Sequence, residues 1–523
     1  MSLQSQQWYQ ATIRELDSLQ KNNTWTLVPR PADRNVIKTK YVYKLKDPET
    51  QNPRYKVRLV AQGFAQQPGE DYDDTFSPVA KPTSVRLIFA LAAGRSLHAH
   101  HFDVETAFLI PSIDRTIYVE QPPEFEDPKH PRTKFVCKLN KGLYGLKQSA
   151  LLWSNDVKSK LLKLGYRQSD ADESIFILQE ADQVTIIAVY VDDFLVLANS
   201  IERINHLNSQ LSQTYTIRDL GPVKRFLGLD IHRPTPTGSI YISQSTYSHK
   251  ILHRFGMENC NPVKAPFPDS TQLHKRTDDE EPADSKLYRE IIGSIGFLPM
   301  YTRPDLAFAV SKLSQYLSNP STFHMHAAKH VLRYIKGTLD YGICYSASPP
   351  KSPSNAHPLG FSDSSHAADP DDRKSHSGYI YFMFNGAIIW SSSKQSVVAL
   401  SSMEAEYIEL TDAAKEAIFL RKLLASLNMD INDPTMILTD SESALDHVKN
   451  NVKHARTKHI DTRFHYIRSI YASSPQQVDL KHVPYSEQAA DILTKPLGIN
   501  KHADAIKLLQ LTQFPFETAS SRI

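Results

Sequence analysis

The most informative pattern in the chain is an apolar run that is interrupted by two adjacent acids. Residues 184–200, VTIIAVYVDDFLVLANS, place Asp192 and Asp193 between two β-rich flanks. Such flanks predict two strands joined by a tight turn. Two neighbouring carboxylates in apolar surroundings are costly to desolvate unless a cation neutralises them. The pattern therefore predicts a hairpin that presents Asp192 and Asp193 to a divalent metal ion.

Hydrophobic periodicity divides the rest of the chain into elements. A helical pattern recurs at residues 8–20, 83–101, 149–165 and 287–340. Residues 24–79 have the pattern of β-strands. A compact α/β pattern follows the second predicted linker and ends near residue 497. Polar stretches that contain proline predict two linkers. The predicted segments are 1–23, 24–265, 266–286 (linker), 287–345, 346–358 (linker), 359–497 and 498–523 (tail).

Composition narrows the functional classes only slightly. The chain has 523 residues and a formal net charge of +3, so no overall basic field indicates a nucleic-acid partner. Its three cysteines, Cys137, Cys260 and Cys344, lie far apart, which argues against a structural zinc site and fits a reducing compartment. The N-terminus lacks the apolar core of a signal peptide. No run of about 18 apolar residues occurs, so the sequence predicts no membrane span.

A third acid, Asp103, extends the first candidate site. It lies in an apolar strand predicted from His101 to Val104, and the text ETAFL follows at 105–109. Phosphoryl transfer by two metal ions needs several carboxylates that converge from different strands. Each acid also has a structural alternative. Asp103 can end a strand or cap a helix, and the Asp192-Asp193 pair can form a solvated turn.

Five ordered segments around these acids resemble the reverse transcriptase domain of Ty1/copia-type retrotransposon polyproteins. They are TWTLVPRP at 24–31, YKVRLVAQGFAQQPGEDYDDTFSPVAKPTSVR at 55–86, FDVETAFL at 102–109, VCKLNKGLYGLKQS at 136–149 and YVDDFLVL at 190–197. The resemblance implies an α+β right-hand polymerase, with an N-terminal helical arm, fingers and palm in 24–265 and a helical thumb or connection in 287–345. It also implies that Asp103, Asp192 and Asp193 bind Mg²⁺, or Mn²⁺ in its place.

The same resemblance implies substrate contacts. Phe108 matches an aromatic residue whose ring lies beneath the sugar and excludes a ribose 2′-hydroxyl, although it can equally be a core aromatic. Arg58 and Lys56 match finger contacts to the incoming triphosphate, since a guanidinium suits phosphate bidentately. For Lys56 a solvated strand face is an equal alternative. Gln148 matches a residue that packs near the incoming nucleotide.

A second set of four acids follows the second linker: Asp363, Glu404, Asp440 and Asp491. Structural alternatives exist here too. Ser401 and Glu404 have the spacing of a capping box, and Asp440 and Asp491 can lie at helix N-termini.

The text around these acids resembles the RNase H domain of the same polyproteins. The matching segments are DPDDRKSHSGY at 369–379, KQSVVALSSMEAEYIEL at 394–410, AAKEAIFLRKLL at 413–424, RTKHIDTRFHYIR at 456–468 and ADILTKPL at 490–497. The resemblance implies an α/β RNase H-like domain with a mixed five-stranded sheet. It implies hydrolysis of the RNA strand of an RNA–DNA hybrid, with two Mg²⁺ bound by the four acids.

At three places the sequence differs from the usual motifs of the family, and these differences favour an alternative function. Ala150-Leu151-Leu152 precede Trp153 where the family has Pro-Arg, and Ile110-Pro111 replace Asn-Gly. After Asp363 the chain has Ser364-Ser365-His366, without the usual second acid and Trp. The alternative is a catalytically decayed or domesticated remnant that binds nucleic acid without turnover.

The resemblance also implies partners and a location. The partners are an RNA template, a DNA primer, dNTPs and RNA–DNA hybrid, with a homodimer or assembly with other polyprotein products. Cytoplasmic virus-like particles and delivery to the nucleus are the expected locations. The segment from His454 to His459, with Arg456 and Lys458, predicts a basic patch near a hybrid backbone, or else a solvated loop.

Overall fold

The computed structural model describes residues 3–46, 53–268, 271–347, 357–449 and 461–514. The basic patch predicted between His454 and His459 lies outside the described residues. The described helices are α1 Leu3–Lys21, α2 Pro82–Gly94, α3 Ser149–Lys163, α4 Ile201–Ser212, α5 Ser245–Arg254, α6 Ser285–Tyr301, α7 Ala307–Ser314, α8 Thr322–Gly337, α9 Ser402–Ser426, α10 Glu442–Lys449, α11 Asp461–Tyr471 and α12 Ile499–Leu508.

The strands of the described ranges fall into five sheets. They are β1 Trp25–Pro29, β2 Val36–Ile37, β3 Thr39–Lys46, β4 Arg54–Ala61, β5 His98–Val104, β6 Tyr118–Val119, β7 Phe135–Leu139, β8 Arg167–Gln168, β9 Ile175–Glu180, β10 Gln183–Tyr190, β11 Asp193–Ala198, β12 Ile217–Pro222, β13 Arg225–Phe226, β14 Leu229–His232, β15 Ile240–Ser243, β16 Gly342–Tyr345, β17 Leu359–Ser365, β18 His376–Met383, β19 Gly386–Lys394, β20 Thr435–Thr439, β21 Val478–His482 and β22 Leu511–Thr512. The helix predicted over 83–101 ends at Gly94, because residues 98–104 pair as β5.

The apolar run at 184–200 forms the centre of a six-stranded sheet with the order β12-β5-β11-β10-β9-β8. Its side chains are buried on both faces. Leu195 and Leu197 pack in the core that contains α2, whereas Phe194 and Val196 pack in the core that contains α3 and α4. Burial on both faces explains why the run is continuously apolar instead of alternating. The two strands and the turn predicted from this run are present.

The residues before α2 form a separate group of strands. A four-stranded sheet has the order β1-β7-β6-β2, and β3 pairs with β4 as an antiparallel hairpin. Helix α1 packs on β4, and Trp8 meets the rings of Tyr43 and Tyr55 edge-on, with centroids 5.4 Å and 4.6 Å away. The N-terminal helix is therefore part of the core that carries Lys56 and Arg58.

Helices α5 to α8 form a bundle, and segments predicted as linker and tail pack against it. Leu273, within the predicted linker 266–286, is buried, and its carbonyl accepts a hydrogen bond from the Tyr316 hydroxyl at 2.8 Å. The predicted tail contains α12 and β22, and β22 pairs with β16. The segment boundaries stay a prediction, but these two segments contribute to the core.

The C-terminal sheet has the order β19-β18-β17-β20-β21. Its first three strands are antiparallel, and β20 and β21 run parallel to β17, so the sheet is mixed and five-stranded as expected. Helix α9 packs against β17 and β18.

A buried arginine connects helices α2 and α6 with strand β19. Arg86 of α2 donates to the carbonyls of Ile388 at 2.7 Å and Met300 at 2.6 Å, and its guanidinium lies 3.9 Å from the ring of Trp390. Three parts of the chain therefore meet at one cation. No helix within the described ranges combines the length and apolar character that a membrane crossing needs.

Candidate catalytic sites

Asp103 and Asp193 lie directly opposite each other on neighbouring strands. They are paired in the antiparallel register of β5 and β11. Asp192 occupies the two-residue turn between β10 and β11, and its carbonyl accepts a hydrogen bond from the Val104 amide at 2.8 Å. The fold thus brings the three acids of the first predicted set to one end of the six-stranded sheet.

The turn that carries Asp192 has an unusual backbone. Val191 has a φ of +56°, a left-handed conformation that costs a β-branched residue roughly 1–3 kcal/mol. The indole nitrogen of Trp153, on α3, donates to the Val191 carbonyl at 2.7 Å. Trp153 is buried, and its partly buried hydrogen bond holds the turn in place.

Asp192 is partly desolvated and interacts electrostatically with one lysine, Lys56. Burial raises the pKa of Asp192 above its ordinary value, and the charges of Asp193 and Asp103 add to that shift. Burial also lowers the pKa of the Lys56 ammonium, whereas Asp192 and Asp103 act in the opposite direction. The Lys56 ammonium and the two carboxylates therefore influence one another electrostatically. Asp193 also contacts the imidazole of His101, with 2.6 Å between Asp193 Oδ1 and His101 Nε2.

Arg58, two residues after Lys56 on β4, is already paired. Its Nη1 lies 3.0 Å from Oε2 of Glu15 on α1, and its guanidinium lies 4.7 Å from the ring of Tyr144. Tyr144 in turn meets Phe108 edge-on at 5.3 Å. The predicted triphosphate contact and the predicted sugar contact thus flank one tyrosine.

Gln148 is fully buried and held by its neighbours. Its amide nitrogen donates to the Asp71 carbonyl at 2.8 Å, and its amide oxygen accepts from Gln66 at 3.0 Å. These contacts orient the N-terminus of α3. The side chain is buried among these contacts, and its predicted position near the incoming nucleotide stays a prediction.

The second set of acids converges more closely than the first. Oxygen atoms of Asp363, Glu406 and Asp440 all lie within 4.8 Å of one another, and this is the only such group of three among the described residues. Asp363 lies on β17, Glu406 on α9 and Asp440 directly after β20. The carboxyl ends of β17 and β20 meet because the strands are parallel neighbours.

The structure does not bring Glu404 into this group of acids. Its backbone amide donates to Ser401 Oγ at 3.2 Å, and its Oε2 accepts from the Leu400 amide at 2.9 Å. Glu404 therefore stabilises the start of α9, as the capping-box alternative predicts. Glu406, two residues later, points to the sheet and takes the position in the carboxylate group.

Asp491 lies at the edge of this group and is bridged by a lysine. Lys495 Nζ is 2.8 Å from Asp491 Oδ1 and 3.8 Å from Asp363 Oδ2. The Thr494 hydroxyl donates a hydrogen bond to Asp363 Oδ2. Of the four predicted acids, the structure thus places Asp363 and Asp440 together, Asp491 beside them, and Glu404 elsewhere.

Electrostatics indicate that the three-acid group suits a cation. Burial raises the pKa of both Asp363 and Glu406, and the mutual repulsion of the carboxylates adds to the shift. Oε2 of Glu406 is buried and has no hydrogen-bond partner. Converging carboxylate oxygens are the ligands that Mg²⁺ and Mn²⁺ prefer. The residues present therefore fit a divalent ion.

Comparison with known proteins identifies the family. The profile of the family described as "Reverse transcriptase (RNA-dependent DNA polymerase)" matches residues 22–269. The chain is 38% identical to the Pol polyprotein of Nicotiana tabacum transposon TNT 1-94 over 95% of its length, and 36% identical to that of Arabidopsis thaliana transposon RE1 over 98%. It is 34% identical to a putative transposon Ty5-1 protein of Saccharomyces cerevisiae, covering 60% of this chain and 99% of that protein.

The chain belongs to the Ty1/copia family of retrotransposon Pol polyproteins. It spans 37% of the Nicotiana polyprotein and 34% of the Arabidopsis one, about a third of each. The whole polyprotein's activities are therefore not transferred to this segment by similarity alone.

Sequence reasoning missed several residues of this Ty1/copia chain that the structure places at the two sites. They are Glu15, His101, Glu406, Thr494 and Lys495. One signal was available for Glu406: once the capping box accounts for Glu404, the next acid of SSMEAEYIEL is Glu406. No local signal exists for Glu15, because its partner Arg58 lies 43 residues away.

Proposed function

We propose that this chain is an RNA-directed DNA polymerase that also hydrolyses the RNA strand of RNA–DNA hybrids. The observation that carries the proposal is the pairing of Asp103 with Asp193 beside the Asp192 turn, within the span that matches the reverse transcriptase family. The substrates we propose are a primed RNA template and dNTPs at the first site, and hybrid at the second.

Each residue around the polymerase cleft has a part in this proposal. Asp103 and Asp192 face the position of the reacting oxygens, and Trp153 holds the strained turn in place. Lys56 and Arg58, which are two residues apart on β4, neutralise the triphosphate, since cationic side chains suit phosphate oxygens. The Phe108 ring, supported edge-on by Tyr144, limits the space beneath the sugar and disfavours a 2′-hydroxyl.

At the nuclease site, Asp363, Glu406 and Asp440 form the ligand group, and Thr494 orients Asp363 through its hydroxyl. Mg²⁺ or Mn²⁺, when bound at either site, supplies activation of the attacking oxygen and stabilisation of the leaving one. The part of the protein is to fix the carboxylates before the ion arrives, because strands and α9 hold them.

Primer extension on an RNA template tests the polymerase proposal. We expect Mg²⁺-dependent extension that Asp192→Asn lowers at least about 100-fold, since a metal ligand is worth several kcal/mol. Asp182→Asn, in the exposed turn between β9 and β10, is the matched control and should extend normally. Absence of extension, or extension that Asp192→Asn leaves unchanged, would contradict the proposal.

Cleavage of a hybrid with a labelled RNA strand tests the nuclease proposal. Asp363→Asn should abolish cleavage without affecting primer extension. The alternative, a remnant that binds without turnover, is supported by Ser364-Ser365-His366 after Asp363. It predicts salt-dependent binding of hybrid, no cleavage and no extension.

A further inference from the structure

Lys495 lies at the nuclease site, although it is not one of the proposed metal ligands. It follows the short helical turn Asp491–Leu493, and its ammonium contacts two acids from different parts of the chain. The distances are 2.8 Å to Asp491 Oδ1 and 3.8 Å to Asp363 Oδ2. Asp363 thus belongs to the three-acid group and also faces a tethered cation.

Burial makes this contact energetically significant. The side chains of Asp363 and Asp491 are 3% and 9% exposed, so neither charge is neutralised by bulk water. The Lys495 side chain is 31% exposed, with its ammonium 5.2 Å from the ring of Tyr485. The lysine therefore neutralises buried acid on one side while it keeps access to solvent on the other.

Three acids of the site converge on one another, whereas the fourth acid, Asp491, lies beside a lysine. Asp363, Glu406 and Asp440 converge to one point, and that geometry suits one divalent ion. Asp491 stands outside this group and forms an ion pair with Lys495. A second divalent ion between Asp363 and Asp491 would have to displace the ammonium that already lies there.

We propose that Lys495 is a built-in cation of the nuclease site, which replaces a second divalent ion between Asp363 and Asp491. The site then binds one ion, in the Asp363–Glu406–Asp440 group. Lys495 is a positioning residue that holds Asp363 and Asp491 and supplies positive charge near the backbone of the nucleic acid. The contact between Lys495 and the nucleic-acid backbone rests on the proposed nuclease function. The number of bound ions does not, because ions can bind without turnover.

Counting bound Mn²⁺ by electron paramagnetic resonance tests the proposal. The full chain carries Asp192→Asn and Asp193→Asn to remove binding at the polymerase cleft, and the nuclease-site ions are those that a further Asp363→Asn removes. We expect one such ion. Lys495→Met should add a second ion, or tighten the first at least about tenfold, because a repelling charge is removed. Lys495→Arg should keep the count at one.

The matched control is Lys312→Met. Lys312 is another partly buried lysine, 2.7 Å from Asp369, and its loss should leave the Mn²⁺ count unchanged. Two ions in the parent, or a count and affinity that Lys495→Met leaves unchanged while the chain stays folded by circular dichroism, would overturn the inference. If Lys495→Met does not fold, the Mn²⁺ counts of the parent and of Lys495→Arg still test the inference. Two nuclease-site ions in either protein would contradict it.

Hybrid cleavage, measured on the same parent, separates this inference from the proposed function. One ion without cleavage supports the built-in cation and contradicts the nuclease function. Cleavage with two ions bound supports the nuclease function and overturns the role of Lys495.

Discussion

Glu15 and Arg58 form an ion pair that connects the N-terminal helix to the polymerase cleft, with 3.0 Å between Glu15 Oε2 and Arg58 Nη1. Glu15 is 5% exposed, and its Oε1 accepts from the Leu59 amide at 3.2 Å. Burial raises the pKa of Glu15, and Arg58 opposes the shift. The pair leaves other guanidinium N–H groups of Arg58 available, so Glu15 fixes the direction in which they point.

Glu15→Gln should weaken nucleotide binding more than it slows turnover. Glutamine keeps an acceptor for the Leu59 amide but loses the charge that orients Arg58. We expect the KM for dNTP in primer extension to rise about tenfold, which corresponds to roughly 1.4 kcal/mol, with kcat changed much less.

Asp17→Asn, on the exposed face of the same helix, is the control and should leave KM unchanged. A fall in KM for Glu15→Gln would show that Glu15 competes with the triphosphate for Arg58, and would contradict the positioning role.

Glu406→Gln and Glu404→Gln should have opposite consequences, although the residues are two positions apart. Glu406→Gln removes a carboxylate from the three-acid group, and we expect hybrid cleavage to fall at least about 100-fold. Glu404→Gln keeps an acceptor for the Leu400 amide, so cleavage should stay within about threefold. Equal losses in cleavage rate would contradict the assignment of Glu406.

Trp153→Phe should impair the polymerase by releasing the Asp192 turn. The change removes the hydrogen bond to the Val191 carbonyl and leaves that carbonyl unpaired, at a cost of about 1–3 kcal/mol. We expect extension to fall about tenfold. Trp390→Phe removes a similar 2.7 Å hydrogen bond, to the Pro299 carbonyl, and serves as the matched control for lost stability. If both variants lose extension equally, the turn has no specific role.

The stability of the chain should fall in acid because of His502 on α12. Its Nε2 lies 3.0 Å from the Tyr334 hydroxyl, which donates to Asp305, and Arg303 pairs with the same carboxylate. Burial lowers the pKa of His502 from 6.5 to about 4, with Asp305 acting in the opposite direction.

Because the pKa is depressed in the folded state, the contribution of His502 is complete above pH 6.5 and is lost as pH falls towards 4. The loss amounts to at most about 3 kcal/mol. Thermal melts from pH 7.5 to 4.5 should therefore show a smaller decrease in Tm for His502→Gln than for the wild type. His253→Gln, at an exposed histidine, should leave the profile unchanged, and parallel profiles for all three proteins would refute the role of His502.

The hairpin around Asp192 could be predicted from sequence because its signal is local. An apolar run, two acids and a tight turn are all written within 17 residues, and the family text places Asp103 beside them. The mixed order of the C-terminal sheet followed from the resemblance. Glu404 and Glu406 both lie near the start of α9. The capping-box spacing of Ser401 and Glu404 sets the two acids apart in the sequence, but only the packing of α9 shows that Glu406 reaches Asp363 and Asp440.

Other features could not be predicted because they depend on distant partners. Nothing near Arg58 indicates Glu15, and nothing near Gln148 indicates that Gln66 and Asp71 hold it. The segment 266–286 is polar overall, yet its one buried leucine, Leu273, packs on the helical bundle. The average polarity of a segment therefore does not predict whether a single apolar side chain in it is buried.

The pairing of β16 with β22 has a consequence for how the chain can be divided. β16 precedes residues 348–356 and β22 lies near the C-terminus, and Ile343 and Leu511 are register partners. Arg86 adds a second connection, through the Ile388 carbonyl. Two separate polypeptides, 1–347 and 357–523, would thus still share a sheet and a buried cation. Co-expressed as a split protein, they should reassemble and co-purify, so a cut between the halves would not separate the two candidate sites.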